Sequence, residues 1–178
     1  MQRLLSPFAF LLLLSCPAVA HSIEPTWIEN GAPAAADPAR GSNGKFGAML
    51  VLTDDWDGFL KRWEQPTAGF WAPTVNSVQK GRPLMSAVIF TGCEADQTGN
   101  CSISADFLVT DPKGKTYAEQ RGAKVWNLPP PPELQLSVDN LGLSLDPPDP
   151  LGTYIVTAIV TDRVANKTVQ LRTTFQAK

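Results

Sequence analysis

His21 is the single histidine of the chain, and Cys16, Cys93 and Cys101 are its three cysteines. Those four residues bound most of the chemistry on offer. A Ser-His-Asp or Cys-His arrangement needs an imidazole as its base, and the one available stands next to a cleavage site and not inside a folded element. Paired carboxylates work without histidine, and Asp54, Asp55 and Asp57 cluster. They cluster where a helix begins, however, and there the macrodipole and the open backbone N–H groups favour acids for structural reasons. The inventory points away from catalysis. His21 carries one sharper hint. Cleavage after Ala20 would leave it first in the mature chain, with its free amine and a ring nitrogen placed to chelate copper. Met49, Met85 or an aspartate would have to complete that site, and methionine is more often core filling.

The stretch MQRLLSPFAFLLLLSCPAVA has Arg3 near its start, an apolar run to Leu14 and small residues at Ala18 and Ala20. That order predicts a signal peptide over 1–20, and with it a periplasmic or secreted protein. Leu-Leu-Ser-Cys at 13–16 resembles a bacterial lipobox, which would make Cys16 a lipid anchor in the outer membrane. Leu14 departs from the small residue expected there, and Ala18-Val19-Ala20 is the better ordinary cleavage site. No later apolar run reaches the roughly 20 residues that span a bilayer. After cleavage at Ala20 two cysteines remain, Cys93 and Cys101 in TGCEADQTGNC. An even count in an oxidising compartment predicts a disulfide closing a polar turn. Their spacing matches neither a C-x-x-C redox pair nor a zinc knuckle.

The elements that must position these residues are mostly strands. Residues 21–45 are rich in Ala, Pro, Gly and Asn and read as a flexible N-terminal arm. Residues 46–178 read as a single domain. A strand FGAMLVLT opens it at 46–53. Trp56, Phe59, Leu60 and Trp63 then fall on one face of a helix over 54–64, capped by Thr53, Asp54 or Asp55 and ended by Pro66. Strands follow at 84–91 and on either side of the Asp-Pro-Lys-Gly turn at 111–114. The run NLPPPPELQL cannot donate to a ladder and should cross between sheets or lie on an edge. The last two strands alternate: Tyr154, Val156, Ala158 and Val160 share a face, as do Val169, Leu171, Thr173 and Phe175. That period of two predicts an antiparallel hairpin with one face on a core.

Composition agrees. Of 178 residues, 43% are apolar and 18% charged, which is globular. The 16 prolines and 13 glycines favour turns over long helices. A net charge of −2 offers no basic surface, so nucleic acid is not an expected partner. Trp56, Trp63, Phe70 and Trp71 crowd one region. Exposed, they would stack on sugar or hold a protein; buried, they seat the helix.

Asp149, Gly152 and Tyr154 in DPLGTY resemble the tyrosine corner of Greek-key sandwiches, in which a tyrosine at a strand start bonds back to the preceding turn. Val156 stands where an antibody domain carries cysteine. The pairing of FLVTDPKGK with PLGTYIVTAIVTD is similar to the immunoglobulin-like modules of secreted bacterial proteins, macroglobulin-type domains among them. The resemblance covers roughly residues 80–178 and implies a fold; the thioester and bait regions of macroglobulins have no counterpart here. Copper-active polysaccharide oxygenases also expose an N-terminal histidine on an immunoglobulin-like sandwich, but they need a second histidine, which this chain lacks. The expectation is a mainly β protein, an immunoglobulin-like antiparallel sandwich with one short amphipathic helix. It would act without a cofactor by binding another envelope or secreted protein, through a strand edge or the helix-and-tryptophan region. The alternatives are a periplasmic copper protein using His21 and a carbohydrate-binding module using exposed tryptophans.

Overall fold

The computed structural model describes residues 27–29, 32–65 and 74–178. The chain order is β1 (Ile28–Glu29), β2 (Ala32–Pro33), β3 (Arg40–Asn43), β4 (Phe46–Thr53), α1 (Trp56–Glu64), β5 (Ser77–Val78), β6 (Pro83–Thr91), β7 (Ile103–Thr110), β8 (Thr116–Trp126), β9 (Gln135–Leu136), β10 (Leu141–Ser144), β11 (Gly152–Asp162) and β12 (Lys167–Ala177). The protein is mainly β, with two five-stranded sheets. The first runs β10-β6-β4-β3, with β9 also on β6; the second runs β5-β12-β11-β7-β8. Every pairing is antiparallel except that of β5 with β12.

Period two decides what each sheet buries. Phe46, Ala48, Leu50 and Leu52 of β4 join Leu84, Val88 and Phe90 of β6 in one apolar cluster. From the second sheet Phe107, Val109, Tyr154, Val156, Leu171 and Phe175 enter that same cluster, so the two sheets share a core. The opposite face of β4 and β6 is covered as well. Val51, Ala87 and Ile89 form a second cluster with Leu136 and Phe59, flanked by Trp56, Leu60 and Trp63. A strand buried on both faces reads as a continuous apolar run, which is why FGAMLVLT does not alternate while β11 and β12 do.

The helix begins at Trp56, two residues later than its sequence pattern suggested. Asp55 is its cap and stays outside the helix: the Asp55 Oδ1 accepts from Gly58 N at 2.9 Å. Trp56 and Phe59 stack at 5.4 Å, and Phe59 and Trp63 at 6.4 Å, so the aromatic stripe is one packed column on the sheet.

The reading of 21–45 as a flexible arm needs correction for its second half. β3 is an edge strand of the first sheet, in register from Arg40 opposite Met49 to Asn43 opposite Phe46. An edge strand draws its stability from ladder bonds and needs little apolar sequence of its own. Pro38 O accepts from Arg172 N, and Ala39 O from Leu50 N. Gly41 has no side chain because a Cβ there would stand 2.9 Å from Val169 Cγ1. Upstream, Trp27 donates its indole N–H to Gly41 O at 2.9 Å. Residues 21–26 lie outside the described residues. The proline run does cross between sheets, leaving β8 of the second and entering β9 of the first.

Two substitutions test this packing in opposite directions. Phe59 is fully buried under the helix, and Phe59→Ala should cost about 3 kcal/mol in urea unfolding through the cavity it leaves. Ser86 shares the inner face of β6 with Leu84 and Val88, and its buried hydroxyl has no hydrogen-bond partner among the described residues. Ser86→Ala should therefore raise stability, by about 1 kcal/mol, since it removes a desolvated group that makes no bond.

Candidate functional site

The hairpins and crossovers gather the irregular chain at the two ends of the paired sheets. At one end lie the turn 111–115, the turn 145–151 and the approach to β6. Tyr154, at the start of β11, is fully buried, and its hydroxyl donates to Pro150 O at 3.0 Å, back into the preceding turn. Its ring stacks on Phe175 at 5.1 Å and meets the edge of Tyr117 at 5.3 Å. Asp149 Oδ2 accepts from Tyr117 Oη at 2.6 Å and from Asp146 N at 2.7 Å. Ser144 O lies 3.0 Å from the same tyrosine hydroxyl. Lys80 Nζ donates to Pro147 O at 2.7 Å and also to Asp149 O. Gly152 has φ +129°, and a Cβ there would stand 3.1 Å from Pro112, so the two turns close on each other only with glycine in place.

The electrostatics of this end follow from those bonds. The Tyr117 hydroxyl holds Asp149 below the usual carboxylate range, with the Asp146 N–H adding to it. Burial, then the hydrogen bond to Asp149, pushes Tyr117 far above the usual tyrosine range. Burial also raises Tyr154, followed by the nearby Asp149 charge. Both phenols are held neutral and the carboxylate ionised, an arrangement that fastens a turn. Asp149, Gly152 and Tyr154 are thus brought together. Tyr117 and Lys80 complete the group, and sequence reasoning missed both; nothing local marks a residue 32 positions before Asp149 as its partner.

The opposite end is built around the disulfide. Cys93 and Cys101 are bonded, with Cα atoms 6.1 Å apart. A ring this short contributes about 2–3 kcal/mol by the chain-entropy estimate. Inside it, Asp96 Oδ1 accepts from Thr98 N, Thr98 Oγ1 and Asn100 N, and these bonds hold Asp96 below the usual carboxylate range. Asp162 is fully buried, and its carboxyl oxygens accept from three backbone N–H groups, those of Glu94, Val164 and Ala165. Next to the ring runs the proline crossover. Cys101 N donates to Leu128 O, and the Trp126 indole N–H donates to Pro129 O at 2.9 Å. Leu128 is 50% exposed, Leu134 46% and Val138 53%. Three large apolar side chains thus stand in solvent on the segment that contains four consecutive prolines, which is tied at several points.

Of the tryptophan cluster, Trp56 and Trp63 are half-buried against the outer face of the first sheet. Phe70 and Trp71 lie outside the described residues, as do His21 and Cys16. Among the described residues, no group of three or more His, Cys, Asp or Glu is placed to hold a metal ion. Among them, too, no helix is long and apolar enough to cross a membrane.

No family model matches the chain, and no curated protein matches it. Several solved structures are similar in part, among them these three. A family 123 glycoside hydrolase from Clostridium perfringens is 9% identical over 74% of this chain, at a TM-score of 0.42; the match spans 27% of the hydrolase's length. The PmoD soluble domain from Methylocystis sp. ATCC 49242 (Rockwell) is 9% identical, covering 77% of this chain and 95% of its own, at 0.33. A structural-genomics target, SoR45, is 15% identical, covering 80% and 88%, at 0.32. Likenesses this distant assign neither an activity nor a fold type.

The corner generates a paired prediction. Tyr154→Phe should lower stability by about 1 kcal/mol, from a buried bond lost and the Pro150 carbonyl left without it. Asp149 titrates below its ordinary value when folded, so its contribution is present above the unfolded carboxylate pKa of about 4 and is lost as pH falls through the lower folded value. Chemical denaturation from pH 7 to pH 2 should show Asp149→Asn less stable than wild type at neutral pH, with the gap closing at the acid end.

Proposed function

We propose that this chain is an exported, non-catalytic binding protein of the bacterial envelope, built as an immunoglobulin-like sandwich, and that its partner is another envelope or secreted protein. The signal-peptide pattern at 1–20 and the disulfide both fit an oxidising compartment. The bond from the Tyr154 hydroxyl to Pro150 O supports the immunoglobulin-like assignment, since it is the bond of a tyrosine corner.

The observation that carries the binding reading is the exposure of Leu128, Leu134 and Val138, the ridge residues, within eleven positions of chain that include the proline run. Exposed apolar side chains grouped together mark contact surfaces. Rigidity adds to the argument: the disulfide, the Trp126–Pro129 bond and the Cys101–Leu128 bond already restrain the backbone, so little ordering entropy is lost on docking. The ridge displaces the helix region as the contact surface, because Trp56 and Trp63 pack with Phe59 in seating α1.

The test compares the mature protein with a Leu128→Asp/Leu134→Asp variant as baits for envelope extract. Both side chains are half in solvent, so the variant should melt within a few degrees of wild type. A specific captured protein should be lost, with affinity falling about tenfold or more. Equal capture by both baits would refute the ridge, and a parallel Trp56→Ala/Trp63→Ala bait would show whether the helix face holds the partner instead.

A further inference from the structure

β8 is the outermost strand of the second sheet. Its C-terminal half is covered: Val138 N donates to Val125 O, Asp139 N to Lys124 O, and Lys124 N to Asp139 Oδ2. From Thr116 to Arg121 no described strand lies on its outer side. Such an edge presents unpaired backbone donors and acceptors and is a template for another strand. Charges and a bulge commonly guard it, and both are here. Glu119 and Arg121 lie on the strand, and a bulge takes in Arg121 and Gly122, between Gln120 opposite Phe107 and Ala123 opposite Ala105; there Gly122 has φ +63° and its N–H donates to Asp106 Oδ1.

The guarding charges are opposite in sign, two residues apart and on one face. Their side chains form an exposed pair within the strand, Arg121 78% and Glu119 42% exposed. Gln120 between them is opposite Phe107, on the core side. If two copies of this strand pair antiparallel about a two-fold axis, one residue must face its own copy. Centring on Glu119 sets carboxylate against carboxylate, and centring on Arg121 sets guanidinium against guanidinium. Centring on Gln120 sets Glu119 of each copy opposite Arg121 of the other, two matched pairs created by symmetry. An unrelated strand would have to bring both charges in the right order; a second copy always does.

We propose that β8 pairs antiparallel with β8 of a second copy of this chain, centred on Gln120, joining two five-stranded sheets into one. The proposal is independent of the ridge at 128–138. The bulge at Gly122 keeps the paired run short, so the dimer is weak and fills only at high concentration. The ladder bonds supply affinity, and the two charge pairs fix the register.

Sedimentation equilibrium and amide exchange on the mature chain, from about 10 μM to about 1 mM, test it in the range where small interfaces associate. The average mass should climb towards that of a dimer, and exchange at 116–121 should slow as concentration rises. Raising salt should weaken both effects. Glu119→Arg sets like charges against each other and should weaken self-association by about tenfold or more, with the melting temperature unchanged. Glu119→Arg combined with Arg121→Glu restores the matched pairs and should restore the dimer. A chain that is monomeric at the top concentration, with exchange independent of concentration, overturns the proposal. So does a dimer indifferent to Glu119→Arg, or one that the double change fails to rescue. Slowing at 116–121 that needs envelope extract, in a monomeric chain, would give the edge to a foreign strand and overturn self-pairing.

Discussion

The two-sided burial of β4 and β6 is the constraint on which the remaining structure depends. Their inner side chains complete the core shared with the second sheet, and their outer side chains would stand in water without a cover. The cover is α1, held down by Phe59 and by the two tryptophans stacked on it. Leu136 of β9 closes the same outer cluster, so the crossover after β8 must return to this sheet and not remain with the one it left. The hydrophobic effect thus determines both where the helix sits and where the proline run goes.

With the layers set, the ends are held mainly by aspartates. Asp55 caps the helix, Asp96 organises the disulfide ring, Asp111 accepts from Lys113 and Lys115 N–H in the turn after β7, and Asp149 and Asp162 serve the loops flanking β11. In each case a short carboxylate takes backbone N–H groups that the ladder cannot reach. In the cluster of Asp54, Asp55 and Asp57, which a search for paired catalytic carboxylates first notices, Asp55 is committed to the main chain through the Gly58 N–H.

The two proposed contact surfaces differ in kind. The ridge beside the disulfide offers apolar side chains on a restrained backbone, and the N-terminal half of β8 offers backbone groups with a charge pattern. Val138 and Asp139 pair with Val125 and Lys124, so the free edge of β8 ends before the stretch they cover.

Local chemistry determined much of this protein. The periods of β11 and β12, the apolar run of β4, the 3.6-residue stripe of Trp56, Phe59, Leu60 and Trp63, the turn at 111–114 and the pairing of two cysteines are each written in neighbouring residues, because backbone geometry and side-chain polarity act over short spans. Even Tyr154 and its turn could be read, since the bond joins residues four apart. Tertiary structure alone decided the rest. β3 has an unremarkable sequence, RGSN, and is a strand only because β4 supplies its ladder partners; the Asn43-Gly44 turn signal was its one local trace. Tyr117 and Lys80 join the corner because two sheets stack, and no spacing along the chain announces that stacking. The exposure of Leu128 and Leu134 and the partial burial of Trp56 and Trp63 were equally undetermined by residue type. Whether an apolar side chain faces core or solvent depends on which surface folds over it, and that surface comes from residues far away in the chain.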